Sequence, residues 1–88
     1  MEDVVVHPNC YKHGLEYKDV VAAWTNVLAY TIRESFSGDR MVVVGYDTNA
    51  RPCEVIGIRK HYGWLIIHAM TSPTDKTKRE VAEGRYRW

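Results

Sequence analysis

The sequence has no long apolar run, few prolines and only two cysteines among its 88 residues. A helix that spans a membrane needs about 20 consecutive apolar residues, and no such stretch occurs. The sequence begins with an acidic segment, Met1 to Asp3. A secretory signal begins with basic residues and continues with apolar ones, so this start does not resemble one. We therefore expect a cytoplasmic protein without membrane contact. In that compartment Cys10 and Cys53 are reduced thiols, and a disulfide between them is the alternative.

The net charge is also small, +1 at neutral pH, but the charges are unevenly distributed. Residues 1–50 contain four Lys or Arg and seven Asp or Glu, which gives −3, and residues 51–88 contain eight and four, which gives +4. A basic half can attract a polyanion even when the whole chain is nearly neutral. The alternative is a solvated, charged helix near the end of the chain.

Residues 1–88 are long enough for one domain, and 45% hydrophobic residues supply one modest core. Apolar residues at helical spacing predict a helix over 16–28. A short edge strand or an extended lead-in is predicted at 4–6. Turn residues separate four further strands, predicted at about 29–36, 40–47, 53–60 and 64–70.

A second helix is predicted near the end of the sequence. Ser72 can cap its start, Pro73 and Asp75 suit its first turn, and Gly84 can end it. The order of helix, four-strand antiparallel meander and helix predicts an α+β fold rather than a parallel sheet.

The hairpin between the last two strands predicts which side chains share a face. If Tyr62 and Gly63 form a two-residue turn, Gly57 pairs with His68. A three-residue turn would instead place His68 opposite Ile56 and mix polar with apolar side chains. We favour the first register because it gives an apolar core face with Ile56, Ile58, Leu65, Ile67 and Ala69, and an opposite face with Arg59, His61, Trp64, Ile66, His68 and Met70.

This second face has the groups needed to bind a phosphate and transfer a proton. Arg59 can neutralise a phosphoryl oxygen, and His68 or His61 can act as an acid or a base. Trp64 can stack on a nucleobase. Lys76 and Arg79, three residues apart on the predicted helix, can line the same side. The alternative is an ordinary, half-exposed sheet face.

His7, Cys10 and His13 have spacing that resembles a metal site, with Cys53 as a fourth zinc ligand. No CxxC pair supports this interpretation, and Pro8 argues against one continuous helix here. We therefore predict no metal and no cofactor, and a metal-binding regulator is the alternative that these three residues leave open.

Three segments resemble BrnT-like toxins of the RelE/ParE superfamily. The first is KHGL at residues 12–15, ahead of an amphipathic helix, which is similar to the family's "KHG" start. The second is DRMVVVG at residues 39–45, similar to the "E-R-x-x-x-x-G" strand. The third is WLIIHAM at residues 64–70, followed by a basic helix and similar to the "R-I-I-S-A-R" strand. Together they cover about residues 12–83 in the family's order.

The resemblance implies a RelE-like fold and the toxin half of a type II toxin–antitoxin pair. It implies metal-independent ribonuclease activity, in which the ribose 2′-hydroxyl attacks the adjacent phosphate. It also implies a small DNA-binding antitoxin, of ribbon-helix-helix type, as the partner. On this basis Arg59, His68 and His61 are the candidate catalytic residues, and the candidate RNA contacts are Arg33, Arg40, Trp64, Lys76 and Arg79.

Met70 stands where the family motif ends in Arg, and a methionine side chain cannot bind a phosphate. His68 lies two positions earlier, on the same face of a regular strand. Either His68 supplies alternative chemistry, or the active site is lost and the chain is a non-catalytic module that binds a protein or a nucleic acid. Arg40 also has an alternative role, as a surface ion-pair partner of Asp39 or Glu34.

Overall fold

The computed structural model describes residues 3–34, 38–83 and 86–87. A short 3-10 helix at Pro8–Tyr11 follows the first strand. The other elements, in chain order, are β1 (Asp3–Val6), α1 (Tyr17–Thr25), β2 (Val27–Arg33), β3 (Arg40–Tyr46), β4 (Pro52–Lys60), β5 (Gly63–Met70), α2 (Asp75–Glu83) and β6 (Tyr86–Arg87). The predicted α+β class is confirmed.

The strands form one mixed sheet in the order β1-β5-β4-β3-β2-β6. Strands β2 to β5 pair in sequence order, each antiparallel to the next. A purely antiparallel four-strand sheet is nevertheless the wrong description, because β1 pairs with β5 in parallel. Gly63 permits this contact: its φ is +140°, and a Cβ there would lie 2.1 Å from the carbonyl oxygen of Asp3. The edge strand predicted at residues 4–6 is therefore confirmed, and the two-residue β6 pairs with β2 at the opposite edge.

The first helix is shorter than predicted. It ends at Thr25, and Val27 and Leu28 belong to β2 instead. The reason is close packing of α1 on the sheet, where a Cβ on Gly45 would lie 1.9 Å from the carbonyl oxygen of Ala23. Because Val27 pairs with Gly45, the chain has to leave the helix as soon as it reaches the sheet.

Two buried carboxylates hold the turn between β3 and β4. Asp47 accepts hydrogen bonds from the backbone N–H groups of Asn49 and Arg51, at 2.8 and 2.9 Å, and from the Arg51 guanidinium at 2.7 Å. Asp19 on α1 accepts one from the Thr48 hydroxyl at 2.6 Å. These contacts fix the turn to the start of α1, and they leave both carboxylates with structural partners.

The main core lies between α1 and the sheet. Its buried members are Cys10, Leu15, Val20, Ala23, Val43, Cys53, Val55, Ile66 and Ala69. A smaller cluster beneath α2 contains Val42, Val44 and Val81, with Ala29 and Ile56 packed against it. Both cysteines are free, and burial raises the pKa of each thiol.

The predicted hairpin register is wrong. Lys60 pairs with Gly63, so that His61 and Tyr62 form the turn, and Arg59 pairs with Trp64. An irregularity then shifts the pairing between Ile56 and Gly57, which places His68 opposite Ile56. Such a bulge inserts one extra residue into a strand and changes which side chains share a face beyond it.

The exposures of the β5 side chains reflect the packing of the main core on the face of Trp64 and Ile66 and the bulge that follows Ile66. Ile66, predicted on the polar face, is completely buried in the main core, whereas Ile67 is only half-buried. Ile56, predicted in the core beside α1, packs against the smaller cluster instead. The predicted apolar face of five residues is therefore divided between the two sides of the sheet.

The second helix begins at Asp75, slightly later than its sequence signals indicate. The hydroxyl of Thr74, not that of Ser72, accepts a hydrogen bond from the backbone N–H of Thr77, at 3.3 Å. Asp75 lies in the first turn as predicted. Gly84, the predicted end of this helix, lies outside the described residues. Within the described ranges, neither helix has the length and apolar character needed to cross a membrane.

Candidate active site

A carboxylate and an imidazole meet on the α2 side of the sheet. Glu54 on β4 lies opposite Met70 on β5, and His68 lies opposite Ile56. Nε2 of His68 is 2.7 Å from a carboxylate oxygen of Glu54. The Glu54 side chain is 5% exposed and that of His68 is 29% exposed, so the imidazole has one side towards solvent.

The other carboxylate oxygen of Glu54 is bound by the segment that precedes α2. It accepts hydrogen bonds from the backbone N–H of Thr74 at 2.7 Å and from the Thr74 hydroxyl at 2.9 Å. Burial raises the pKa of Glu54, but the hydrogen bonds from Thr74, His68 and Thr77 outweigh this and hold the pKa below its ordinary value. Glu54 is therefore ionised at neutral pH and caps the start of α2.

The ionised carboxylate determines the tautomer of His68. A carboxylate without a proton can only accept hydrogen bonds, so the contact at 2.7 Å requires the proton to lie on Nε2 of His68. In the neutral ring, Nδ1 then has the free lone pair. The pair thus presents a proton acceptor whose positive charge, once it gains a proton, is balanced by Glu54.

A second imidazole lies beside this pair. The ring of His13, in the segment between the 3-10 helix and α1, is 5.9 Å from the ring of His68 between centroids, at an interplanar angle of 71°. His13 is exposed. It is the one member of the proposed metal set that reaches the site, since Nδ1 of His7 accepts from the Asn9 backbone and Cys10 is buried in the core. Among residues 3–34, 38–83 and 86–87, no three His, Cys, Asp or Glu side chains are grouped as metal ligands.

The predicted constellation of Arg59 with His68 is not assembled. Arg59 lies over the indole of Trp64, with 5.2 Å between the guanidinium carbon and the ring centroid. Trp64 also packs against Trp24 of α1, at 5.6 Å between ring centroids, and belongs to the main core. Arg59 and Trp64 are therefore on the α1 side of the sheet, and His68 with Glu54 is on the α2 side, because of the bulge.

His61 is likewise outside this group. It forms the β4–β5 turn, is exposed, and its ring meets that of Tyr62 in a T-shaped contact at 5.2 Å. The turn lies at the far end of β5 from His68, so His61 does not complete a site with it.

The remaining predicted cations differ in their surroundings. The Arg33 guanidinium forms an ion pair through two nitrogens with Glu80 of α2, and this contact raises its pKa. Arg40 is half-buried at the start of β3, where it pairs with Arg33 and Ile58 in the sheet. Lys76 and Arg79 are exposed on α2, on the helix that follows the site. These two positions are compatible with the RNA contacts predicted for them.

Sequence reasoning missed Glu54 and Thr74, and it assigned His13 to a different site. The sequence contains one signal for Glu54, which is a charged residue placed between the apolar residues Cys53 and Val55 of a predicted strand. An acidic side chain in such a position usually has a partner. No local signal could pair it with His68, since that contact depends on the bulge.

Comparison with protein-family models, with curated proteins and with solved structures gives no match for this chain.

Proposed function

We propose that this chain is the toxin of a type II toxin–antitoxin pair, a BrnT-like, RelE-like cytoplasmic ribonuclease that cleaves RNA by 2′-hydroxyl attack without a metal. The observation that carries the proposal is the contact of 2.7 Å between His68 and the buried carboxylate of Glu54. General acid–base catalysis needs a proton-transfer group with a fixed orientation, and a carboxylate behind an imidazole supplies it.

The positions of the three family-like segments support the same proposal. Residues 12–15 lead into α1, residues 39–45 fall on β3, and residues 64–70 form nearly all of β5, just before α2. Two of the three segments contribute to the candidate site, since His13 comes from the first and His68 from the third.

The experiment is cleavage of a defined single-stranded RNA by the purified chain, with the ends of the products identified. We expect a 2′,3′-cyclic phosphate and a 5′-hydroxyl, and activity that persists in a chelator. His68→Gln should lower the turnover by ~10²–10⁴-fold, the usual contribution of a proton-transfer group. His7→Asn is the matched control, because asparagine can still accept the capping hydrogen bond from Asn9 and His7 lies outside the site. Equal rates for the wild type and His68→Gln would contradict the assignment.

A protein partner is the second part of the proposal. An open groove of about 460 Å³ beside α2 is lined mainly by apolar side chains, among them Leu28, Val44, Pro73 and Val81, with Lys78 at its margin. Lys76 and Arg79 add positive charge on the same helix. This surface suits an antitoxin segment with apolar and acidic side chains, since opposite charges speed association.

Expression of this chain alone should arrest the growth of its host, and co-expression of the neighbouring small protein should restore it. Lys78→Glu, which leaves the candidate RNA contacts Lys76 and Arg79 in place, should still arrest growth when expressed alone but should weaken the rescue, measured as growth at fixed induction. Unchanged growth over a wide induction range would oppose the toxin assignment.

A non-catalytic binding module is the second candidate function, and Met70 favours it. Met70 is half-buried opposite Glu54, where the resembling family has an arginine, so the site lacks that cation. A purified chain that binds RNA or its partner but yields no cleavage product would establish this candidate instead.

A further inference from the structure

We propose that His13 is a second catalytic residue of this site, the general acid that protonates the leaving 5′-oxygen while His68 acts as the base. The inference rests on the proposed function, since it assigns a role within the same RNA cleavage. The site has three residues, His13, His68 and Glu54. They come from three separate parts of the chain, which the fold brings together.

Two features of the geometry support a joint role. The ring centroids of His13 and His68 are 5.9 Å apart, so that both rings can reach one phosphodiester group. Both side chains have access to solvent: His13 is exposed and His68 is 29% exposed. His13 also follows directly after the 3-10 helix, whose buried Cys10 donates a hydrogen bond to the carbonyl of Ile66 on β5 at 3.3 Å. This contact holds the His13 segment against the strand that carries His68.

The division of roles follows from Glu54. Because Glu54 holds the proton of His68 on Nε2, neutral His68 has Nδ1 free to accept a proton. His13 makes no carboxylate contact among the described residues, so neither of its ring nitrogens is engaged by such a partner, and a protonated ring can donate from either nitrogen to a substrate. The carboxylate of Glu54 also stabilises the imidazolium that forms when His68 accepts the proton, which suits His68 to the role of the base.

The step balances without any co-reactant. The 2′-oxygen forms a bond to phosphorus as its proton passes to Nδ1 of His68, and the bond between phosphorus and the 5′-oxygen breaks. The 5′-oxygen takes the proton of His13. The products are a 2′,3′-cyclic phosphate and a 5′-hydroxyl, and the enzyme is left with a charged His68 and a neutral His13. Proton exchange with water restores both rings.

The test uses two substrates that differ only in the leaving group. One is a dinucleotide, and the other is a nucleoside 3′-(4-nitrophenyl phosphate), whose leaving group departs without protonation; each is prepared with all four bases. His13→Gln should lower kcat on the dinucleotide by ~10²–10⁴-fold and have little effect on the nitrophenyl ester. His68→Gln should lower kcat on both substrates, because both need the 2′-hydroxyl deprotonated. His7→Asn is the control, and thermal unfolding of all variants checks that the fold is kept.

The outcomes separate this inference from the proposed function. Cleavage of RNA by the wild type with an unchanged rate for His13→Gln would overturn the role of His13 and leave the ribonuclease proposal in place. An equal loss on both substrates for a folded His13→Gln would overturn the acid role as well. If the wild type cleaves neither substrate, the imidazole signals of His13 and His68 in NMR decide the matter. Shifts of both on addition of nucleoside 3′-monophosphates would support a shared phosphate site, and their absence would overturn it.

Discussion

The two faces of the sheet differ in the side chains that they carry. The face towards α1 is apolar, and the core that it forms with α1 and the 3-10 helix contains eight side chains with 0% exposure: Cys10, Val20, Ala23, Val43, Cys53, Val55, Ile66 and Ala69. The face towards α2 has only a small apolar cluster around Val42, Val44 and Val81. Beside that cluster lie the hydrogen-bonded pair of Glu54 with His68 and the ion pair of Glu80 with Arg33.

This difference indicates that the α1 face supplies most of the stability, whereas the α2 face is the location of the proposed chemistry. Burial of apolar surface is worth about 25 cal/mol per Å², so the denser α1 face contributes more to folding. The partly exposed ion pair of Arg33 with Glu80 contributes little to stability, with a typical value of about 0–1 kcal/mol for such pairs. His68 is 29% exposed and can contact a ligand, whereas Glu54 behind it is buried and also stabilises the fold.

Two adjacent isoleucines of β5 give the strongest test of the difference in stability between the two faces of the sheet. Ile66→Ala should destabilise the protein by about 2–5 kcal/mol, because Ile66 is completely buried in the main core. Ile67→Ala should cost clearly less, because Ile67 is only half-buried at the bulge. Urea unfolding of both variants measures the difference. Equal losses, or a larger loss for Ile67, would support the regular hairpin without a bulge and contradict the division of faces.

Sequence reasoning predicted the elements better than the site. The alternation of apolar residues and the turn signals place β3, β4 and β5 to within a residue or two, because these patterns are local. The site was missed because it depends on one inserted residue. With the bulge between Ile56 and Gly57, His68 faces Glu54 instead of sharing a face with Arg59. No pattern in the strand itself indicates a bulge, since Ile66 and Ile67 are equally apolar.

The catalytic role of His68 stays a prediction, but the partners predicted for it are wrong, because neither Arg59 nor His61 lies beside it. A histidine within an apolar strand is visible in the sequence, but its neighbours come from β4, from the segment before α2 and from the segment before α1. These contacts are separated along the chain by 14 residues for Glu54 and by more for His13. Only the folded structure brings these residues together. The pairing rules of a regular hairpin place His68 on the other face of the sheet, and they therefore exclude its contact with Glu54.

Glu54→Gln tests the α2 face, and the loss of stability that we expect from it is smaller than that from Ile66→Ala. The change keeps the shape but removes a buried charge that accepts from Thr74 and His68, so we expect a loss of about 1–3 kcal/mol at pH 7. The folded-state pKa of Glu54 lies below its ordinary value of 4.5, because the hydrogen bonds outweigh the effect of burial. A carboxyl with a lowered pKa contributes stability that is present above the unfolded-state value and is lost as the pH falls through the folded-state value. The difference in unfolding free energy between the wild type and Glu54→Gln should therefore shrink as the pH falls below 4.5.

Glu34→Gln is the matched control for this series, because Glu34 is exposed just after β2, and its effect at pH 7 should be much smaller than that of Glu54→Gln. Chemical unfolding at a series of pH values measures all three proteins. Asp19, Asp47 and Glu80 also have lowered pKa values, but they are present in every protein compared, so the differences isolate Glu54. A gap between the wild type and Glu54→Gln that stays constant down to pH 2 would mean that the charge of Glu54 does not stabilise the fold. In that case the hydrogen bonds from Thr74 and His68 would not favour the ionised form of Glu54 in the folded state, and the orientation of His68 by this carboxylate would lose its energetic support.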